Sequence, residues 1–176
     1  INLAYYLDLN YNLKNKYFLR LGTTMESSSR FGSETVEGVK LAGVNWGLFP
    51  SVQAAWVISA EPWFKASHVN YLKLNVGYEE SGNDNVDYYA SRTYFQNQKF
   101  MDKATSLVLA NIQNPTIQWE TNRRFNVGAQ VNLFNNRLSL GADVYWSKTS
   151  NLLTRKAVSD ITGMSMMWGN DGELSN

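Results

Sequence analysis

Apolar and polar residues alternate along much of the chain, and this two-residue period is typical of β-strands whose two faces meet different surroundings. The pattern predicts strands over residues 5–13, 17–24, 51–58, 71–79, 124–133 and 137–146. One face of these strands carries no charge, whereas the opposite face carries Asp8, Arg20, Lys73, Glu79, Arg124, Arg137 and Asp143. The chain is therefore predicted to be all-β and antiparallel, with one apolar and one polar sheet face.

The connections between the predicted strands alternate in length. Lys14-Asn15-Lys16 joins the first pair and Asn135-Asn136 the last pair, both as tight hairpins, and a medium turn at 59–70 joins the middle pair. The connections over 25–48, over 81–118 and from 147 onward are long. Antiparallel neighbours joined in this order place every short turn at one end of the sheet. That asymmetry is typical of outer-membrane barrels, with short periplasmic turns and long extracellular loops.

A soluble β-sandwich stays open as an alternative, because its strands also alternate and its inner faces also lack charge. The barrel is favoured by the loop lengths, by a polar face rich in Asn, Gln, Ser and Gly, and by Tyr11 and Tyr17 beside a tight turn on the apolar face. The uncharged stretch 41–60 is interrupted by Gly43, Gly47 and Pro50, so we reject a membrane helix there.

The number of predicted strands is too small for a closed membrane barrel. The smallest single-chain barrels have about eight strands, and an open sheet edge is not tolerated in lipid. The sequence also begins at Ile1 without a start methionine or a signal peptide. We therefore expect residues 1–176 to be part of a larger β-barrel domain.

Composition removes several classes of function. The chain has 16 Lys and Arg against 15 Asp and Glu, so it lacks the basic excess of a nucleic-acid binder. It has no cysteine and one histidine, which excludes disulfides, thiol nucleophiles and clustered-histidine metal sites. Glu79 and Glu80 are consecutive and point to opposite faces, which argues against a paired-carboxylate glycosidase site. We expect no enzyme activity and no cofactor.

Two sets of side chains are candidates for a functional role. The charged residues of the polar face would line the lumen of a barrel: Asp8, Arg20, Lys73, Glu79, Arg124 and Asp143. The longest internal loop carries Tyr88, Tyr89, Tyr94 and Phe95, which would either stack on a ligand or form a hydrophobic cluster at the barrel mouth or against a partner protein. The start of the same loop, with Asp84 and Asp87, would also suit a loop Ca²⁺ ion, although it lacks the full EF-hand pattern.

Five blocks of sequence give the chain a family resemblance. They read E-S-S-S-R-F-G (26–32), G-L-F-P-S-V-Q-A-A-W-V-I (47–58), S-A-E-P-W-F-K (59–65), N-P-T-I-Q-W-E (114–120) and L-F-N-N-R-L-S-L (133–140). Their order and spacing resemble the later part of the barrel in SusC-like (SusC/RagA family) TonB-dependent outer-membrane transporters. Trp63 and the pair Glu26-Ser27 depart slightly from the family pattern.

The resemblance implies a fold, a function and partners. It implies a segment of a roughly 22-stranded transmembrane barrel, with the plug domain and the N-terminal extension outside this chain. The parent protein would import oligosaccharides or peptides across a bacterial outer membrane, driven by TonB through the missing N-terminal part. A SusD-like surface lipoprotein would act as a lid. A barrel for protein secretion or adhesion, and a soluble carbohydrate-binding β-sandwich, are the alternatives.

Overall fold

The fold is known from a computed structural model that describes residues 2–100, 104–159, 161 and 163–176. Twelve β-strands and one 3₁₀ turn at Ile58–Ala60 lie in this part of the chain. The strands are β1 (Asn2–Leu13), β2 (Tyr17–Ser28), β3 (Val39–Leu41), β4 (Val44–Val57), β5 (Val69–Asn83), β6 (Tyr94–Phe100), β7 (Ala104–Asn111), β8 (Glu120–Leu133), β9 (Leu138–Ser150), β10 (Leu153–Ala157), β11 (Met166–Asn170) and β12 (Glu173–Ser175). In the described part of the chain, no helix is long and apolar enough to cross a bilayer.

One antiparallel sheet of eight strands organises the molecule, in the order β1-β2-β4-β5-β8-β9-β12, with β3 paired to β4. The six predicted strands are confirmed as β1, β2, β4, β5, β8 and β9. Each strand pairs with the next of the six along the chain, as the loop pattern predicted. The predicted ends at Ile58 and Arg137 are wrong by one residue, since Ile58 begins the 3₁₀ turn and Arg137 belongs to the β8–β9 turn.

The register keeps the apolar side chains together across the whole sheet. One row runs Tyr11, Leu19, Ala54, Val76, Val127 and Val144 from β1 to β9, through directly paired residues. We call the side of the sheet that bears this row the apolar face and the opposite side the polar face. Many apolar-face side chains are exposed, including Leu9, Val76 and Leu140. So many exposed apolar side chains on one face do not fit the covered inner face of a soluble β-sandwich.

The short connections lie at one end of the sheet, which we call the turn end. The β1–β2 turn closes with a hydrogen bond of 3.0 Å from Lys16 N–H to Leu13 O, and Lys14 and Asn15 adopt positive φ. In the β8–β9 turn, Asn135 and Asn136 also have positive φ. Asparagine tolerates this left-handed backbone better than most residues, which explains why both predicted hairpins form.

The long connections lie at the opposite end of the sheet, which we call the loop end, and they hold strands that periodicity did not predict. The β6–β7 hairpin, the β10–β11 hairpin and the short β3 and β12 all belong to these connections. Most of them are short or largely polar, and β7 carries its apolar residues consecutively at Leu107, Val108 and Leu109, so none has a clear alternation that identifies it. The buried core also lies at this end, where Phe31, Phe49, Val86, Ala90, Ile117 and Trp119 pack together.

Candidate functional site

The six charged candidates lie on the polar face, at positions that the register fixes. Between β1 and β2, Asp8 lies opposite Gly22 and Arg20 lies opposite Asn10. Farther across the sheet, Glu79 lies opposite Arg124, and Asp143 lies opposite Gly128. Lys73 lies on β5 opposite Gln130. These positions put all six side chains on one surface, which we propose as lumen lining below.

Four of the six candidates form two ion pairs across neighbouring strands. Arg20 Nε lies 2.9 Å from Asp8 Oδ2, and Arg124 Nη1 lies 3.9 Å from Glu79 Oε1. The Arg124 guanidinium also lies 4.5 Å from the centre of the Tyr145 ring. All these groups are partly solvated, so each pair contributes little to stability. Their effect is to leave this part of the polar face electrically balanced.

Lys73 and Asp143 have no ion-pair partner within the described part of the chain. The Lys73 ammonium lies 5.8 Å from the centre of the Phe18 ring. Asp143 lies over Gly128, where a Cβ added to the glycine would be 2.0 Å from Asp143 Oδ1. The sheet does not bring these two charges into one catalytic arrangement with the other four.

Two rows of aromatic side chains bound the apolar face. Near the loop end, Tyr78 pairs with Phe125, and Phe125 pairs with Trp146 with ring centres 5.9 Å apart. At the turn end, Tyr17 and Trp56 stack with ring centres 6.1 Å apart. Aromatic girdles at two levels around an apolar band are typical of barrels that span an outer membrane.

Glu61 fixes the row at the turn end. Its carboxylate accepts a hydrogen bond of 2.7 Å from the Tyr17 hydroxyl and one of 3.2 Å from the Trp56 indole N–H. Lys16 Nζ lies 3.2 Å from the same carboxylate. The Tyr17 hydrogen bond, followed by those from Trp56 and Lys16, holds the pKa of Glu61 below its usual range. The turn after β4 therefore anchors the aromatic side chains of two strands.

Charged residues on the apolar face mark its limit toward the loop end, and sequence reasoning missed them. Arg123 lies one step beyond Phe125 on β8, and its Nε lies 3.2 Å from Glu80 Oε1. Glu80 also accepts a hydrogen bond from the Tyr78 hydroxyl. The predicted strands stopped at Glu79 and began at Arg124, so they did not reach this network. Predicted strands that reached two residues beyond Tyr78 and Phe125 would have included Glu80 and Arg123.

The predicted loop aromatics lie at the loop end and do not join the buried core. Tyr88 is 71% exposed and Phe95 is 61% exposed. The Arg30 guanidinium lies 4.6 Å from the centre of the Tyr88 ring, and the rings of Tyr89 and Tyr94 are 5.6 Å apart. A hydrophobic cluster does exist in these loops, but other residues form it. Contact of the four aromatics with a ligand or a lid stays a prediction.

The segment 114–120, one of the blocks that carry the family resemblance, holds the loops together. Ile117 is fully buried, and Trp119 packs against Phe31 with ring centres 4.2 Å apart and ring planes tilted by 40°. Gln118 Oε1 accepts hydrogen bonds of 2.8 and 3.0 Å from the backbone N–H groups of Val36 and Glu37. We call residues 114–120 the hub segment, because this segment contacts both the loop after β2 and the β10–β11 hairpin.

The hub segment also binds the β10–β11 hairpin. Asn170 accepts a hydrogen bond of 2.8 Å from Gln118 N–H and donates one of 2.9 Å to Gln118 O. Asn114 donates a hydrogen bond of 2.9 Å to Trp168 O. Side-chain amides that pair with backbone groups in this way replace the strand ladder where the chain is irregular. The described loops therefore form a connected layer with its own core.

The two aspartates of the predicted calcium loop are engaged by arginines. Asp84 Oδ2 lies 3.2 Å from Arg30 Nη1, and Asp87 Oδ2 lies 2.9 Å from Arg155 Nη2. Asp87 also accepts a hydrogen bond of 2.8 Å from the Trp168 indole N–H. No group of three or more metal-binding side chains occurs in the described part of the chain. A calcium ion would have to displace these contacts, and its binding stays a prediction.

A sheet with an apolar and a polar face, two aromatic girdles and long loops at one end is typical of outer-membrane β-barrels. Comparison with known families agrees with this class. The model of the family "TonB dependent receptor-like, beta-barrel" matches residues 2–173, and the chain belongs to this family. Members of the family are outer-membrane proteins. The family resemblance inferred from the five sequence blocks is thereby confirmed.

Individual relatives are similar along nearly the whole chain. TonB-dependent receptor SusC of Bacteroides thetaiotaomicron is 29% identical over an alignment 183 positions long, gaps included, that covers 98% of this chain and 17% of SusC. TonB-dependent receptor P39 of Formosa agariphila is 28% identical over 172 residues, which cover 97% of this chain and 16% of that receptor. The chain thus spans about a sixth of the length of these curated relatives.

A solved structure shares the fold. The RagAB peptide transporter superposes with a TM-score of 0.83 at 24% identity, over 99% of this chain and 18% of the transporter chain. The RagAB peptide importer in its closed-closed state gives the same TM-score of 0.83. This likeness shows that the sheet and its loops have the arrangement of one part of a transporter barrel.

Proposed function

We propose that this chain is a wall segment of a TonB-dependent importer of large nutrients, oligosaccharides or peptides, in a bacterial outer membrane. The apolar face meets lipid and the polar face lines the lumen. The observation that carries the proposal is the unbroken register of uncharged apolar residues across β1, β2, β4, β5, β8 and β9, bounded by aromatic rows. In such a wall every strand satisfies its backbone groups by pairing, as hydrocarbon requires.

The proposed partners follow from the family. A SusD-like surface lipoprotein would cover the loop end as a lid, and the exposed Tyr88, Tyr89, Tyr94 and Phe95 are its candidate contacts or those of the cargo. TonB would act through a plug domain on the parent protein. Import makes and breaks no bond, so the chain would supply no catalytic residue and hold no cofactor for catalysis. The charged pairs Asp8–Arg20 and Glu79–Arg124 would keep the lumen wall polar without strong net charge.

The experiment that tests this function uses cells that lack the parent gene. Fractionation should place the complete protein in the outer membrane, and the deletion should abolish uptake of fluorescently labelled nutrient that wild-type cells take up. Deletion of TonB should have the same effect, because the proposed energy source is lost. Uptake that continues without TonB, together with loss of a secreted or adhesive surface protein, would favour the secretion or adhesion barrel.

A further inference from the structure

Two positively charged side chains lie directly opposite each other on the apolar face. Arg123 of β8 is aligned with Lys148 of β9 in the strand register, one step beyond the neighbouring rings of Phe125 and Trp146. We call Arg123 and Lys148 the cation pair. Like charges directly opposite each other destabilise a sheet, so an anion placed between them would offset this cost.

Carboxylates flank the cation pair without bridging it. Glu80 Oε1 lies 3.2 Å from Arg123 Nε, and Glu173 Oε2 lies 3.0 Å from Lys148 Nζ. Glu37 Oε1 lies 3.8 Å from Arg123 Nη2, which is beyond hydrogen-bond distance. In the described part of the chain, no carboxylate forms an ion pair with both cations. The charges therefore run negative, positive, positive, negative across this surface, and a central anion would make them alternate.

The cation pair is positioned by its neighbours and open on its outer side. The Tyr78 hydroxyl donates a hydrogen bond to Glu80, and Glu80 in turn holds the Nε edge of Arg123. The Nη groups of Arg123 are left for another acceptor, and the planar guanidinium suits two parallel bonds to a phosphate. The side chains of Arg123 and Lys148 are 40% and 53% exposed. Because the apolar face points away from the lumen, neither a plug nor cargo in the lumen would cover them.

The depth of the cation pair matches that of lipid phosphates. The aromatic row that contains Phe125 and Trp146 bounds the apolar band. Two residues along an antiparallel strand advance about 6.8 Å, which a strand tilt of about 40° reduces to about 5 Å along the membrane normal. The headgroup layer on each side of the hydrocarbon is about 5–7 Å thick. The cation pair therefore reaches the headgroup layer at the loop end, where the proposed function places the outer leaflet.

We propose that the cation pair binds a phosphate group of an outer-leaflet glycolipid. The proposal rests on the membrane position given under the proposed function and does not depend on the cargo. Arg123 donates hydrogen bonds through its Nη groups and Lys148 through its ammonium group, while the acyl chains of the lipid lie along Phe125, Trp146 and the apolar band. Bound in this way, the lipid would fix the height of this part of the barrel wall in the membrane.

The test uses the complete parent protein, purified in detergent and stripped of bound lipid. Binding of monophosphoryl lipid A and of the same lipid without its phosphate is measured by native mass spectrometry. The wild type should bind the phosphorylated lipid about tenfold more tightly, the equivalent of about one hydrogen bond to a charged group. Lys148→Gln should lose this preference, whereas Lys148→Arg, which keeps the charge, should retain it.

Two further variants separate lipid binding from a loss of charge in general. Arg124→Gln removes a cation beside Arg123 but on the polar face, so it should bind the phosphorylated lipid as the wild type does. Glu173→Gln removes the carboxylate that competes for Lys148, so it should tighten binding by up to about fivefold, the worth of an exposed ion pair. Heat-dependent gel shift verifies that each variant is folded.

Several results would overturn the proposal. These are equal binding of the two lipids by the wild type, an unchanged preference in folded Lys148→Gln, and weaker binding in Glu173→Gln. Displacement of the lipid by an equal concentration of inorganic phosphate would assign the site to a free anion instead. Loss of binding on addition of EDTA would show that a metal ion bridges the lipid to the carboxylates. Each of these results leaves the proposed function standing, whereas a parent protein found outside the outer membrane would contradict that function itself.

Discussion

Adjacent residues of one strand face opposite surroundings, so substitutions one position apart should have opposite outcomes. Val131 pairs with Leu140 on the apolar face, while Gln130 and Ser139 lie beside them on the polar face. Val131→Arg and Leu140→Arg should impair assembly of the parent barrel, because arginine on the lipid face near mid-bilayer costs ~2–4 kcal/mol. Gln130→Arg and Ser139→Arg should assemble normally. The folded fraction in isolated outer membranes, measured by heat-dependent gel shift, distinguishes these outcomes, and equal damage by both pairs would refute the assigned faces.

The turn-end contacts of Glu61 should make stability depend on pH. Its pKa is lowered from 4.5 in the folded protein, first by the Tyr17 hydrogen bond and then by Trp56 and Lys16. A lowered pKa stabilises the folded state above the unfolded pKa, and this contribution is lost as pH falls through the folded value. Glu61→Gln should therefore lower the urea midpoint of the complete barrel at neutral pH and have a smaller effect below about pH 4.5.

The control for this pH dependence is Glu34→Gln, since Glu34 is exposed at the loop end. It should leave the midpoint unchanged across the same range. A constant difference between wild type and Glu61→Gln at every pH would mean that the ionised carboxylate does not stabilise the turn.

Among the elements, the hub segment should control whether the loops stay folded. Gly32 N–H donates a hydrogen bond of 2.9 Å to Ile117 O, and a Cβ at Gly32 would be 1.8 Å from Pro115 O. Because backbone cannot move aside as a side chain can, Gly32→Ala should separate the loop after β2 from the hub segment. Limited proteolysis should then cut residues 29–38 faster, whereas the adjacent Ser33→Ala should behave as the wild type. Unchanged proteolysis of Gly32→Ala would show that other contacts hold the loop.

The same elements show how far sequence alone could reach. The main strands were predictable because each has a polar side and an apolar side, and the register preserves that alternation from Leu7 to Val144. The loop layer was not predictable, because its order comes from single contacts between distant residues. Asn170 with Gln118 and Arg155 with Asp87 are such contacts, and neither has a periodic signal. The resemblance blocks at 26–32 and 114–120 contain the buried Phe31, Ile117 and Trp119, but the resemblance did not identify these residues as buried.

The charged candidate residues were also predictable only in part. Alternation was sufficient to place Asp8, Arg20 and Asp143 on one face, but it could not tell that Arg20 pairs with Asp8 while Asp143 lies free over Gly128. Pairing depends on which residues the register brings opposite each other. A shift of the register by one residue would move each charge to the other face, so the ion pairs follow from the exact strand alignment and not from composition.

For the whole molecule, the two unlike ends of the sheet predict its orientation in the membrane. An epitope tag between Ala42 and Gly43, in the exposed β3–β4 turn of the loop end, should be reached by antibody on intact cells. A tag between Asn135 and Asn136 should be reached only after the outer membrane is permeabilised, because tight turns of outer-membrane barrels face the periplasm. Both sites lie in turns with positive φ, so the two insertions disturb similar local structure.

The sidedness test also separates a covered loop end from an inverted one. A lid lipoprotein would hide the Ala42–Gly43 tag, so the labelling should be repeated in cells that lack the lid. If the Asn135–Asn136 tag is exposed on intact cells while the other stays hidden without a lid, the barrel is inverted. The loop layer would then open toward the periplasm, where no extracellular cargo first arrives, and the proposed import function would lose its physical basis.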